Sequence, residues 1–194
     1  FKNNKEKRDS YLKSSTELTH NDKEAVYLTQ QIGNVWSFIY NHNRVPNLTE
    51  IKELIVESDE YPISSKYISL LLGNYNKELN DFLELIESKK CVTGYIMTSG
   101  IFSLYLIMNF KNYKETLKDI ILASGDTDTI GALIGGVLPI LDKEYLQNKD
   151  LNKIMFKEIE RHHYFYILRK NIIATPIILA HGVLRLIKYI VIRN

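Results

Sequence analysis

Residues 94–110 read GYIMTSGIFSLYLIMNF, and this apolar stretch decides the fold. On a helix drawn through it, apolar side chains lie on every side: Ile96, Met97, Ile101, Phe102, Leu104, Leu106, Ile107 and Met108. A helix that is hydrophobic all round is typical of the centre of a packed core. We therefore predict a central buried helix over residues 94–110, with the other elements packed around it.

Amphipathic segments on both sides of this stretch predict further helices. Residues 22–40 carry apolar side chains at helical spacing, and either Asn21 or Asp22 can cap the first turn. Shorter helices are predicted over residues 49–58, 66–72, 77–88 and 113–123. The sequence contains no Asn-Gly or Asp-Gly hairpin turn and no sustained apolar–polar alternation. The predicted fold class is therefore all-α, a multi-helix bundle.

Length, charge and cysteine content limit the class of protein. The chain has 194 residues, of which 45% are hydrophobic and 25% charged, as in an ordinary globular domain. A net charge of +2 gives no reason to expect a nucleic-acid partner. The single Cys91 excludes an internal disulfide and favours a reducing, intracellular compartment, cytoplasmic or organellar. The first residues, FKNNKEKRDS, lack the apolar part of a secretory signal, so we expect a fragment or a processed product.

The C-terminal residues 172–192 form a second apolar stretch, long enough to suggest a membrane span of ~20 residues. Three polar side chains, however, share one face of the helix: His181, Arg185 and Lys188. Two helix breakers interrupt the run, Pro176 and Gly182. We predict an amphipathic helix that packs on the domain or on a partner chain. A helix lying on a membrane surface is the second alternative, and a spanning helix is disfavoured.

Residues 121–138 read ILASGDTDTIGALIGGVL and contain the best candidate for chemistry. A helix is predicted to end at Ser124-Gly125, because glycine readily takes the left-handed conformation that closes a helix. The next four residues, Asp126-Thr127-Asp128-Thr129, all carry a side-chain oxygen and precede a helix of small residues. Mg²⁺ and Mn²⁺ prefer such oxygen ligands. The alternative is helix capping by Asp126 or Thr127, with Asp128 favouring the positive end of the helix.

The segment resembles the C-terminal metal motif of the ADP-ribosylglycohydrolase family, a Gly-Gly-Asp-Thr-Asp-Thr run followed by a small-residue helix. Only the first glycine differs, since Ser124 stands in its place. Two earlier segments of the chain also resemble family motifs, and all three occur in the family's order. Thr19-His20 resembles its Thr-His motif, and Gly94-Tyr95 resembles the Gly-Tyr segment that borders its nucleotide pocket. Taken alone, His20 is typical of a surface or capping residue and Tyr95 of a core aromatic. The resemblance covers about residues 10–147.

The resemblance implies both a fold and an activity. The fold would be the family's orthogonal helical bundle, shortened at its N-terminus, over residues 1–147, with residues 148–194 as a helical extension. The activity would be metal-dependent hydrolysis of the ADP-ribose glycosidic bond, so that ADP-ribose or an ADP-ribosylated acceptor is the expected partner. The implied site residues are catalytic Asp126 and Asp128, the Mg²⁺ or Mn²⁺ ligands Asp126, Asp128 and Thr129, and the ADP-ribose neighbours His20, Gly94 and Tyr95.

Part of the family's metal site has no match in the sequence. The family's other ligands belong to an N-terminal Thr-Asp-Asp-Thr-type motif, whereas residues 1–18 contain no adjacent aspartate pair. A binuclear site would therefore be completed by residues outside this chain. Three explanations stay open: a separate or missing N-terminal piece, a second protein that completes the site, or a non-catalytic helical subunit or scaffold derived from the family.

Overall fold

The computed structural model describes residues 4–144 of the chain, so the predicted extension 148–194 and its helix at 172–192 lie outside the described residues. Within 4–144 the chain forms helices and no β-strand, which confirms the all-α prediction. The helices, in chain order, are α1 Lys5–Glu17, α2 Lys23–His42, α3 Leu48–Leu54, α4 Pro62–Asn74, α5 Leu79–Leu85, α6 Ile96–Met108, α7 Tyr113–Ala123, α8 Thr127–Gly135 and α9 Leu138–Leu141.

Helix α6 is the centre of the core, as its sequence predicts. All residues from Met97 to Ile107 are buried, and the helix packs on α2, α4 and α8. Gly100 allows α2 to come close, because a Cβ at this position would lie only 2.8 Å from Cδ1 of Ile32. No helix of the described part is both long and apolar enough to cross a membrane: α6 has only 13 residues, and α2, with 20 residues, is amphipathic.

The periodicity did not predict α1, which is a highly charged helix with no buried residue. Its first turn is capped by Asn4, whose side chain accepts the backbone N–H of Lys7 at 2.8 Å. The helix lies along α2, where Leu12 covers Gly33 so closely that a Cβ on this glycine would collide with it. Helix α1 is therefore held by contacts along one edge and by capping rather than by an apolar stripe.

Helix α4 begins earlier than the sequence predicts, at Pro62, because a side chain from α2 binds its first turn. The Glu24 carboxylate accepts the backbone N–H groups of Ile63 at 3.0 Å and Ser64 at 2.8 Å. It also accepts the Ser64 hydroxyl at 2.6 Å, and this hydroxyl lies 3.7 Å from the sulfur of Met97. Glu24 thereby joins the N-terminal ends of α2 and α4 to the first turn of α6.

Helix α3 provides a test of stability against pH. Glu50 and Asn47 form a capping box, and Arg44 binds the Glu50 carboxylate at 2.6 and 2.8 Å. The hydrogen bond from Arg44, then that from the Asn47 amide, lowers the pKa of Glu50 from 4.5 to about 2. A lowered folded-state pKa stabilises the fold above pH 4.5, and this contribution is lost as the pH falls toward about 2.

We therefore expect Glu50→Gln to lower the melting temperature at neutral pH and to match the wild type near the lower end of this pH range. Glu53→Gln is the matched control, since Glu53 lies exposed on the same helix and has no ion pair within residues 4–144. A Glu50 effect of the same size at acid and neutral pH would contradict the assignment.

Candidate functional site

The aspartate loop, defined here as residues 124–129, is held by a short backbone pairing with residues 91–93. The N–H of Asp126 donates to the carbonyl of Val92 at 2.9 Å, and the N–H of Val92 donates to the carbonyl of Ser124 at 3.3 Å. Val92 and Gly125 form an isolated parallel bridge. The pairing brings Gly94, which directly follows residues 91–93, next to the Asp126 carboxylate.

The backbone of this loop uses conformations that favour glycine. Helix α7 ends at Ala123, as predicted, and Gly125 has a φ of 84°. A Cβ on Gly125 would overlap the carbonyl oxygen of Val92 and lie 3.0 Å from Cβ of Cys91. Only glycine therefore allows the backbone pairing to form. Ser124 has a φ of 58° and a ψ of 176°, a region occupied almost only by glycine.

Asp126 stands at the start of α8, but its side chain accepts no hydrogen bond from the first turn of that helix. The capping alternative is therefore wrong for this residue. Its Oδ1 accepts the Thr129 hydroxyl at 2.8 Å. Its Oδ2 is buried and has no hydrogen-bond partner among residues 4–144, and an added Cβ on Gly94 would lie 3.4 Å from it. A buried carboxylate oxygen without a donor is costly, and a bound cation would compensate it.

Asp128 is exposed and lies next to the Asp126 carboxyl. Its pKa is lowered, first by its own backbone N–H, then by the neighbouring Asp126 side chain and by the Thr129 N–H. The side chains of Asp126 and Asp128 therefore lie close together. The oxygen set of Asp126, Asp128 and Thr129 fits a hard divalent ion. Within residues 4–144, however, no third acidic, His or Cys side chain joins it.

Tyr95 lies at the start of α6 with its side chain 45% exposed, so the core-aromatic alternative is wrong. Burial raises the pKa of Tyr95, and the negative charges of Asp22 and Glu24 add to the effect. The start of α2 therefore lies near the tyrosine. His20 lies two residues before Asp22 and is exposed. Its Nδ1 lies 2.8 Å from the Thr19 hydroxyl. In the described residues His20 has no hydrogen bond to Tyr95 or to the aspartates.

The sequence model of the ADP-ribosylglycohydrolase family matches residues 2–144. The chain belongs to the ADP-ribosylglycohydrolase family. Comparison with curated proteins and with solved structures finds no match. Family membership indicates a hydrolase of the ADP-ribosylglycohydrolase type, whose substrates are ADP-ribosylated and which is generally metal-dependent.

The structure brings together some of the residues that the family resemblance pointed to, and it shows that Val92 also contributes to the loop. Gly94 lies next to the Asp126 carboxylate, and the Thr129 hydroxyl donates a hydrogen bond to Asp126. Val92 was missed, although its carbonyl oxygen fixes the loop. A residue that acts through its backbone leaves no side-chain pattern in the sequence, so only the glycine at position 125 hinted at this close contact.

Ser124, the one departure from the glycohydrolase motif, gives a prediction on stability. Strain at such a φ and ψ costs about 1–3 kcal/mol, whereas glycine adds about 0.4–1 kcal/mol of unfolded-state entropy to be lost on folding. We expect Ser124→Gly to raise the free energy of unfolding by about 1 kcal/mol in urea titrations. The matched control is Ser69→Gly on the exposed side of α4, which should lower it by about 0.5 kcal/mol. Equal losses in both variants would contradict the strain at Ser124.

Proposed function

We propose that this chain supplies the aspartate part of a divalent-metal site in an ADP-ribosyl hydrolase, which releases ADP-ribose from a modified acceptor. The observation that carries the proposal is the buried, unpartnered Oδ2 of Asp126 beside Asp128. Asp128 faces free amides of the first turn of α8, as a capping residue would, whereas the Asp126 side chain accepts none of them.

Asp126, Asp128 and Thr129 would hold Mg²⁺ or Mn²⁺ in this proposal. The bound ion would act as a Lewis acid, orienting ribose hydroxyls and lowering the pKa of a nearby water. Thr129 fixes the rotamer of Asp126 by donating to its Oδ1, so that Oδ2 stays directed at the site. Cleavage of a glycosidic bond builds positive charge on the ribose, which the two carboxylates are placed to stabilise.

The surface above the aspartates suits a nucleotide. Gly94 has no side chain, which leaves open the space next to Asp126. The half-exposed ring of Tyr95 offers a flat face for stacking, and the first residues of α2 lie beside it. We therefore assign Gly94, Tyr95 and, on the loop before α2, His20 to the ADP-ribose side of the site. The remaining metal ligands would come from residues outside this chain, in a separate N-terminal piece or a second protein.

Calorimetric titration of ADP-ribose into the purified chain, with Mg²⁺ and with EDTA, tests the proposal. We expect binding that requires Mg²⁺ and that the double variant Asp126→Ala, Asp128→Ala weakens at least about tenfold, or 1.4 kcal/mol. The control double variant Asp59→Ala, Asp81→Ala removes two exposed aspartates elsewhere and should bind as the wild type does. Absence of binding with any divalent ion would overturn the proposal for this chain and would favour a non-catalytic subunit.

A further inference from the structure

A cavity of about 480 Å³ lies at the C-terminal end of α6, the end opposite Tyr95. Its wall consists of the turn between α4 and α5, the last residues of α6 and one face of α7. No residue of the aspartate loop lines this cavity. Its volume lies within the range of small-molecule sites, roughly 300–1,000 Å³.

Asp119 places a partly buried carboxylate at this cavity. Within residues 4–144 this carboxylate has no hydrogen bond and no ion pair. The nearby Tyr105 hydroxyl does not donate to the Asp119 carboxylate, because its proton is directed to the backbone carbonyl of Lys77 at 2.8 Å. Burial raises the pKa of Asp119, although the positive charges of Lys111 and Lys118 oppose this effect. A ligand that donates hydrogen bonds to Asp119 would offset the cost of this burial.

The charges around the cavity restrict the charge that a ligand can carry. Three acidic and three basic side chains line it, and their formal charges cancel: Glu78, Glu115, Asp119, Lys77, Lys111 and Lys118. Lys111 is bound to Glu115 at 3.5 Å, whereas Lys77 and Lys118 have no ion pair in the described part of the chain. A ligand with charge of one sign would be repelled by half of this lining. A molecule with both signs would find partners for each.

We propose that the cavity binds a zwitterionic small molecule of the amino-acid class, with its ammonium group on Asp119 and its carboxylate on Lys77 and Lys118. Asn109 provides a second acceptor for the ammonium group. Its amide nitrogen donates to the carbonyls of Tyr75 at 2.7 Å and Tyr105 at 3.0 Å, which leaves its Oδ1 to accept. The side chain of the ligand would extend into the rest of the cavity.

Thermal shift measurements with the free L-amino acids, followed by calorimetry on those that raise the melting temperature, test this proposal. We expect binding by at least one amino acid and none by its N-acetylated, amidated form, which lacks both charges. Asp119→Asn should weaken that binding at least about tenfold, as removal of a charge-assisted hydrogen bond would. Asp59→Asn, a neutralised exposed aspartate outside the cavity, should leave it unchanged.

A second variant tests the carboxylate end of the ligand. Lys118→Gln should weaken binding as well, and it addresses the carboxylate end of the ligand if Asp119→Asn proves poorly folded. Binding of no amino acid, binding of the uncharged form with equal affinity, or full binding by Asp119→Asn would each overturn the proposal. Neither ADP-ribose nor a metal ion enters these measurements, so their result is independent of the proposed hydrolase function.

Discussion

Replacing Gly125 with alanine is expected to lower the free energy of unfolding by about 3 kcal/mol, the largest stability effect of any single substitution in the aspartate loop. Two penalties combine. The φ of 84° is strained for alanine, and the new Cβ would overlap the carbonyl oxygen of Val92. Relief of the overlap requires the backbone to move apart, which breaks the bond from the Asp126 N–H to that carbonyl. Urea titration measures the loss directly.

Gly131→Ala is the matched control for Gly125→Ala. Gly131 lies within α8, six residues after Gly125, and an added Cβ there would meet no atom of the described residues within 4 Å. Since alanine favours a helix over glycine, we expect this variant to be more stable by up to about 1 kcal/mol. If Gly125→Ala retained wild-type stability, the pairing between Val92 and the aspartate loop would not be what holds the loop.

The central part of the fold follows from the sequence because its signal is local. Helices α2, α6 and α7 each bury an apolar face, or all faces, and their predicted bounds agree with the structure to within two residues. Helix α1 has no such face, so hydrophobic periodicity could not reveal it. Its signals are the capping residue Asn4 and the charged helix formers that follow, which also occur in loops.

The early start of α4 shows a second reason for error, since it depends on a contact across 40 positions of sequence. Ser64 is of a residue type that caps helices, and it lies two residues before the predicted helix start at residue 66. In the structure the cap comes from Glu24 instead, and Ser64 lies inside the helix with its hydroxyl bound to that carboxylate. A cap supplied by a distant element cannot be recognised from the residues around the helix end.

The sequence proposes the residue types of the candidate site but not their geometry. The resemblance pointed to Asp126, Asp128 and Gly94, and the structure shows how Gly94 leaves space for the Asp126 carboxylate. The orientation of Asp126 could not be read from the sequence, because aspartate at a helix start is more often a cap. The contact of its Oδ1 with Thr129 and the isolation of its Oδ2 appear only in three dimensions.

Asp126→Asn is expected to remove the stabilisation by Mg²⁺ while leaving the metal-free protein as stable as the wild type or more so. Carboxylates bind Mg²⁺ far better than amides do, so we expect affinity for the ion to fall at least about 100-fold. In the metal-free protein, an amide can keep the bond from Thr129 and donate to Asp128, which the carboxylate cannot. Replacing this contact between two acids by a hydrogen bond is expected to stabilise the metal-free fold.

Melting temperatures with EDTA and with increasing Mg²⁺ measure both effects in one experiment, since an ion that binds only the folded state raises stability with concentration. Asp59→Asn serves as the control, because it removes the same charge at an exposed position far from α8 along the chain. Equal stabilisation of Asp126→Asn and the wild type by Mg²⁺ would place the ion elsewhere. A variant that loses the response to Mg²⁺ and gains stability in EDTA would show that Asp126 is retained at a cost to the fold, as expected of a residue whose role is to bind rather than to cap.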